Sequence, residues 1–164
     1  MTHGDGVERI AEAFAGARAD GRRAALMPYL MGGFPDLDTS RAIAVAYADA
    51  GADLIFPEAM ADEADFERFR AAIDTPILAN MTEFGKSKLL DAKTLQNLGV
   101  NIVIYPVTLL RLAMHAAGVG LAEIAGRGTQ DGLLDQMQHR RDLYDLLDYE
   151  AYNSFDTSVF NFTL

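Results

Sequence analysis

The chain has 164 residues and a formal net charge of −10, from 14 Lys and Arg against 24 Asp and Glu. That length suits one well-packed domain, and the acidic balance argues against nucleic acid or an anionic membrane as partner. Cysteine is absent, which excludes disulfides, thiolate zinc sites and a cysteine nucleophile.

The opening MTHGDGVERI has no apolar leader region, and no run approaches the roughly 18 apolar residues of a membrane span, so a soluble chain of the cytoplasm is expected. VERIAEAFAGARA then places Val7, Ile10 and Phe14 on one stripe of a predicted helix. Apolar, β-rich runs follow at Ala24–Met31, Asp53–Ala59, Pro76–Thr82 and Asn101–Val107, about every 25 residues. Such runs predict strands buried on both faces of a parallel sheet.

The segments between the strands read as helices. Asp38 is the predicted cap of a helix reaching Ala50, with Gly51 as its stop. DEADFERFRAAI puts Phe66, Phe69 and Ile73 on one face, and Asp91 and Gly99 bracket a short helix. Thr108 is the predicted cap of a longer helix ending near Gly126, and TQDGLLDQMQHRRDLYDLL predicts one more from Thr129. The tail YNSFDTSVFNFTL, with Phe155, Phe160 and Phe162, has no clear period and predicts an arm that needs packing against something.

Strands alternating with helices indicate right-handed βα units. The predicted fold is a single α/β domain over residues 1–164, with four parallel βα units between an N-terminal helix and a C-terminal helical arm. Four units are half of a TIM-type (βα)8 barrel, which needs about 250 residues, or a small open parallel sheet. Half a barrel exposes two sheet edges and an apolar face. An open α/β sandwich, or two copies closing one barrel, would remove that liability.

Two resemblances meet inside GADLIFPEAM, Gly51 to Met60. ERIAEAFAGARADGRRAALMPYLMGGFPDLDTS followed by ADAGADLI resembles the opening of the tryptophan synthase α subunit, over about residues 1–55. GADLIFPEAM, PILANMTEFGKS, GVNIVIYPVTLLRLAM, GTQDGLLDQMQHRRDLYDLL and the terminal FNF resemble the C-terminal half of methylisocitrate lyase, in the isocitrate lyase/phosphoenolpyruvate mutase superfamily. The lyase-like part divides into βα units over 56–128 and the helical arm over 129–164. The first resemblance implies a catalytic glutamate where Phe56 stands. The second implies that the magnesium-binding aspartates, a cysteine loop and a substrate arginine belong to a half that is missing here.

The apparent change of family across Ala50–Phe56 predicts an engineered chimera without efficient catalysis, with no catalytic residue, metal site or cofactor of its own. The alternatives are a weak C–C lyase converting methylisocitrate to pyruvate and succinate, a non-catalytic module for di- or tricarboxylates, and a natural truncated product. The lyase resemblance implies that Glu58, Asn80, Thr82, Arg111 and Arg140 contact the carboxylates and hydroxyl of a tricarboxylate. The residues themselves agree on location, since Glu58, Asn80 and Thr82 fall at C-terminal strand ends. An arginine fork suits a carboxylate. The plainer alternative pairs Glu58 with Arg111 or leaves both to solvent.

FGKS, Phe84 to Ser87, resembles the end of a P-loop but has Asn80 where the first glycine belongs, so a solvated loop is expected. A plain turn is expected at Gly32 and Gly33. His3, His115 and His139 lack metal-ligand spacing. The expected partner is a second copy, a homodimer with exchanged C-terminal helices as the lyase resemblance implies, and small carboxylates bind weakly.

Overall fold

The computed structural model describes residues 6–160, so His3 and Phe162 lie outside the described residues. Two compact units divide between Arg111 and Leu112.

The first unit runs α1 (Gly6–Ala19), β1 (Tyr29–Met31), α2 (Leu37–Asp49), β2 (Phe56–Glu58), α3 (Glu63–Ala72), β3 (Leu78–Asn80), α4 (Ala92–Asn97) and β4 (Ile102–Ile104). It is the predicted α/β alternation, and every strand pairing is parallel. Leu30 registers with Pro57, and Ala79 with Val103. A single bridge between Ile55 and Ile77 joins the two ladders. No barrel closes, and β1 and β4 each pair on one side only among the described residues.

That openness corrects the expectation of strands buried on both faces for the edge strand β1, whereas β3 buries both Leu78 and Ala79. In β1, Leu30 is buried while Tyr29 and Met31 on either side are exposed. Period-two alternation sends Leu30, Ile55, Pro57, Ile77 and Ala79 to the helix-covered face. There they meet Phe66, Phe69 and Ile73 from α3 and its end, Leu95 of α4 and Ala44 of α2, all buried. Towards the other side, Ile10, Ala13 and Phe14 of α1 share an apolar cleft with Leu78 and Ile102, and Tyr29 and Phe56 meet edge to face at 5.3 Å. The α1 stripe buries less than its pattern suggests, for Val7 is 73% exposed and Phe14 49%.

Caps set the helix starts. Asp36, not Asp38, caps α2: its carboxylate accepts from Thr39 N at 2.7 Å and from the Thr39 hydroxyl at 3.0 Å. Asp38 falls inside the first turn and pairs with Arg41. Two carboxylates stand two residues apart in PDLDTS, and only the extended backbone of Asp36 leaves its oxygens facing the free amides. Asp62 and Asp91 cap α3 and α4 in the same way. Gly51 and Gly99, at φ +90 and +79, stop α2 and α4 as predicted.

Asp53 ties the approach to β2 to the approach to β1. Arg22 donates to its two oxygens at 2.6 and 3.2 Å, and the Leu26 amide donates at 2.7 Å. Arg22 above all holds the Asp53 carboxyl below its usual range, with the Leu26 amide adding to the effect. The folded carboxyl therefore titrates below the unfolded one. Its contribution is complete above about pH 4 and is lost as pH falls through the folded value. A melting series from pH 6 to pH 3 is expected to show this acid loss, and Asp53→Asn to flatten it. An equal acid loss in the variant would assign it to other carboxylates.

The second unit contains most of α5 (Thr108–Arg127), a 3₁₀ turn over Asp131–Gln136, α6 (Arg140–Leu146) and α7 (Tyr149–Phe160). The single helix predicted from Thr129 is thus broken. Its first part winds as 3₁₀, Met137 is extended, and His139 restarts the chain by accepting from Arg141 N at 3.3 Å. The aperiodic tail is helical as far as Phe160. Asp148, at φ +48, turns the chain out of α6, and the next twelve residues contain no Gly or Pro to stop α7. No residue of α5, α6 or α7 is buried. By length and composition α5 is long and apolar enough to cross a membrane, although Arg111, Glu123 and Arg127 interrupt its apolar run.

Candidate functional site

The first two candidates come together. β2 ends on Glu58 and β3 on Asn80, and Asn80 Nδ2 donates to Glu58 Oε2 at 3.1 Å. This fixes the amide so that Asn80 Oδ1 is buried without a protein donor. A buried acceptor left in that state costs about 1–3 kcal/mol unless a donor reaches it. The oxygen therefore favours a ligand hydroxyl or ammonium.

The close approach of β1 to β2 below this pair depends on Gly32. Its amide donates to the Glu58 carbonyl at 2.6 Å, and a Cβ there would lie 2.9 Å from that oxygen and run into the Met60 side chain. Gly32 is thus more than the plain turn expected of it.

Thr82, half-buried, is the second residue of the loop after β3. Arg111, in the first turn of α5, pairs with the carboxylate of the next residue, Glu83, and also donates to its backbone oxygen at 3.3 Å. Glu58 and Arg111 do not pair, so the plainer alternative is corrected: each has its own partner. The Thr108 hydroxyl donates to the other Glu83 oxygen and does not cap its own helix, which corrects that expectation too. The Thr108 hydroxyl chiefly, and Arg111 as well, hold the Glu83 carboxyl below the usual carboxylate range. The Arg111 guanidinium carbon also sits 5.4 Å from the centre of the Phe84 ring.

Each strand-to-helix connection carries one residue in the left-handed region: Gly33 after β1, Ala59 after β2, Phe84 after β3 and Val107 after β4. Three of the four are not glycine. Such conformations are disfavoured, most of all for β-branched Val107, and they cluster where a fold aims side chains.

Arg140 belongs to the second unit. It lines a cleft of about 520 Å³ with His139, Arg141, Tyr144, Asp148 and Tyr149, the two tyrosines stacked at 4.5 Å. Lys86 and Ser87 lie in a bend, with α4 starting only at Ala92, and no helix N-terminus follows to complete a phosphate loop. Among the described residues no three His, Cys, Asp or Glu side chains converge to hold a metal ion.

Sequence reasoning missed Glu83. A signal was present, because Thr108 and Arg111 stand at i and i+3 on one helix face and can share one acid. What could not be read was that the loop after β3 delivers that acid.

The comparisons with known proteins bear on the apparent join. The profile of the phosphoenolpyruvate phosphomutase family matches residues 6–125. It runs unbroken through the stretch that resembles tryptophan synthase α and through Ala50–Phe56. The chain is 55% identical over 131 residues to "Probable 2-methylisocitrate lyase 2" of Corynebacterium glutamicum, covering 80% of this chain and 43% of that protein. It is 42% identical over 113 residues to 2-methylisocitrate lyase of Aeropyrum pernix, covering 69% of this chain and 37% of that protein. Among solved structures, 2,3-dimethylmalate lyase superposes with a TM-score of 0.70 at 21% identity, over 96% of this chain and 56% of that one, a likeness of fold. The chain thus spans less than half the length of these curated relatives. Nothing in these matches supports a tryptophan synthase fragment or an engineered chimera, and one family accounts for both sides of the supposed join. Shared barrel geometry explains the error, since an Ala-Gly-Ala-Asp approach to a strand suits both families. The chain belongs to the phosphoenolpyruvate phosphomutase family.

Proposed function

We propose that this chain carries the carboxylate- and hydroxyl-binding part of a C–C lyase acting on a 2-methylisocitrate-like tricarboxylate, with pyruvate and succinate as products. The observation that carries this reading is the buried, unpartnered Asn80 Oδ1 beside Glu58 at the strand ends. The names of the relatives at 55% and 42% identity support it.

In this reading a substrate hydroxyl donates to Asn80 Oδ1, Glu58 holds the Asn80 amide in place, and Thr82 lines the adjoining loop. Arg111 grips a carboxylate through its planar fork, and Arg140 offers its own fork to a carboxylate within the separate cleft of the second unit. The described residues bind and orient, and neither a thiolate base nor a metal cluster is formed from them, so no step of bond cleavage is assigned to this chain's own residues.

Calorimetry with succinate tests the reading. Binding near millimolar, about −4 kcal/mol, is expected, and Asn80→Ala or Arg111→Ala should weaken it beyond detection. Cleavage of 2-methylisocitrate above the level of a Glu58→Ala control would establish the lyase. Binding without cleavage would favour the carboxylate-binding module, and the absence of both would overturn the reading.

The proposal includes a soluble, cytoplasmic, self-associating protein without nucleic-acid or membrane partners. Leu112, Leu121, Leu146, Tyr152 and Phe155 are each more than 60% exposed, and apolar surface on that scale marks an interface. Light scattering is expected to give about twice the 17.9 kDa chain mass, through exchange of the C-terminal helices. A constant single-chain mass across concentrations would exclude the homodimer.

A further inference from the structure

We infer that Glu83 is a positioning residue that sets the direction in which Arg111 presents its guanidinium, and so the spacing of carboxylates the site accepts. The inference rests on the carboxylate-binding reading above and deepens it.

Glu83 reaches across from the loop after β3 to the start of α5. One carboxylate oxygen accepts from the Thr108 hydroxyl and the other from Arg111 Nη1. The same Nη1 donates to the Glu83 carbonyl at 3.3 Å, and the Phe84 ring lies under the guanidinium at 5.4 Å. The fork is therefore held at one nitrogen and on one face. Its Nη2 and Nε have no protein hydrogen-bond partner among the described residues, which leaves one edge for a bidentate carboxylate.

Backbone geometry supports the assignment independently. Phe84 directly follows Glu83 and Val107 directly precedes Thr108, and both sit in the left-handed region, at φ +63 and +55. A bulky aromatic and a β-branched residue adopt that conformation only where the surroundings over-determine it. Here the two unfavourable turns are the ones that bring Glu83 and the Thr108–Arg111 face together.

A plain surface ion pair is the simpler account, since the Arg111 side chain is 41% exposed and such pairs contribute little. The Thr108 bond distinguishes the two. It ties the acid to the start of α5 independently of Arg111, so the acid is fixed by a second partner and directs the arginine rather than merely pairing with it. A fixed fork reads the geometry of a ligand, whereas a swinging one reads chiefly its charge.

The test uses the full chain as wild type, Glu83→Gln and Thr108→Val, with succinate and malonate titrated by calorimetry and the Arg111 guanidinium observed by nitrogen-15 NMR. Glu83→Gln keeps the side-chain volume and an acceptor for Thr108 but removes the charge that holds Arg111. Wild type is expected to prefer succinate over malonate by about tenfold, within the range of pocket discrimination. Glu83→Gln should bring that ratio to about one, with Arg111 resonances averaged by free rotation. If Glu83→Gln fails to fold, Thr108→Val, which loosens the acid from the other side, should lower the ratio in the same direction. A ratio retained in the folded variant, or unchanged Arg111 resonances, overturns the positioning role alone. Failure of wild type to bind either acid overturns the carboxylate reading, and this inference with it.

Discussion

Phe69→Ala is expected to destabilise the first unit by about 4 kcal/mol, within the 3–5 kcal/mol seen for emptied aromatic sites. Phe69 has no exposed surface and lies between α3 and the helix-covered face of the sheet, in one cluster with Ile55, Ile77 and Leu95. Removing the ring forfeits its burial and leaves a cavity that these packed neighbours cannot collapse to fill. Domains of this size are stable by about 5–15 kcal/mol, so the variant should melt tens of degrees lower or fail to fold. Urea unfolding followed by circular dichroism measures it. Leu121→Ala, at a position 69% exposed in α5, should change stability by no more than about 0.5 kcal/mol in the single chain. A Phe69 effect as small as that would mean the core is centred elsewhere.

Arg70→Leu is expected to cost about 3 kcal/mol, although leucine keeps much of the buried stem. The Arg70 guanidinium is partly buried and donates to three backbone carbonyls: Ile73 at 3.1 Å, Gly99 at 3.2 Å and Thr75 at 2.9 Å. It thereby stitches the end of α3 and the approach to β3 to the turn after α4. Hydrogen bonds from a charged donor contribute about 1.5–3 kcal/mol each, and part of the loss returns as water reaches the rim. Burial lowers the affinity of the guanidinium for its proton, but an arginine still keeps its charge. Arg70→Lys should rescue little, because a single ammonium cannot span three diverging acceptors.

Gly99→Ala probes the same joint from its other side. A Cβ there would lie 2.5 Å from Arg70 Cδ, at φ +79, and should cost about 1–2 kcal/mol. The two substitutions share this contact, so their effects should not add. A double variant equal to the sum of the singles would refute the coupling.

Much of the first unit was legible because its rules are local. Asp91 and Gly99 delimit α4 through a side-chain oxygen facing free amides and a backbone only glycine adopts easily, and both act within a few residues. Phe66, Phe69 and Ile73 declared a buried face by spacing alone. The same locality explains the mistaken cap at Asp38, where two aspartates compete two residues apart and backbone dihedrals choose between them. It also explains the mistaken join, for a short Ala-Gly-Ala-Asp approach satisfies the needs of any barrel strand and carries little information about family.

The sequence by itself determined the βα alternation, the parallel pairing and the placement of Glu58 and Asn80 at strand ends, since period and chain direction suffice for these. Only the tertiary structure decided the partners. Glu58 meets Asn80, 22 residues away, and Arg111 meets Glu83, 28 residues away. Those contacts depend on where the left-handed turns at Ala59, Phe84 and Val107 aim the loops. No propensity favours such turns for alanine, phenylalanine or valine. Phe84 is 94% exposed and Val107 48%, so it is the bonds from Glu83 to Thr108 and Arg111 that hold those two turns, and they exist only once the strands are assembled.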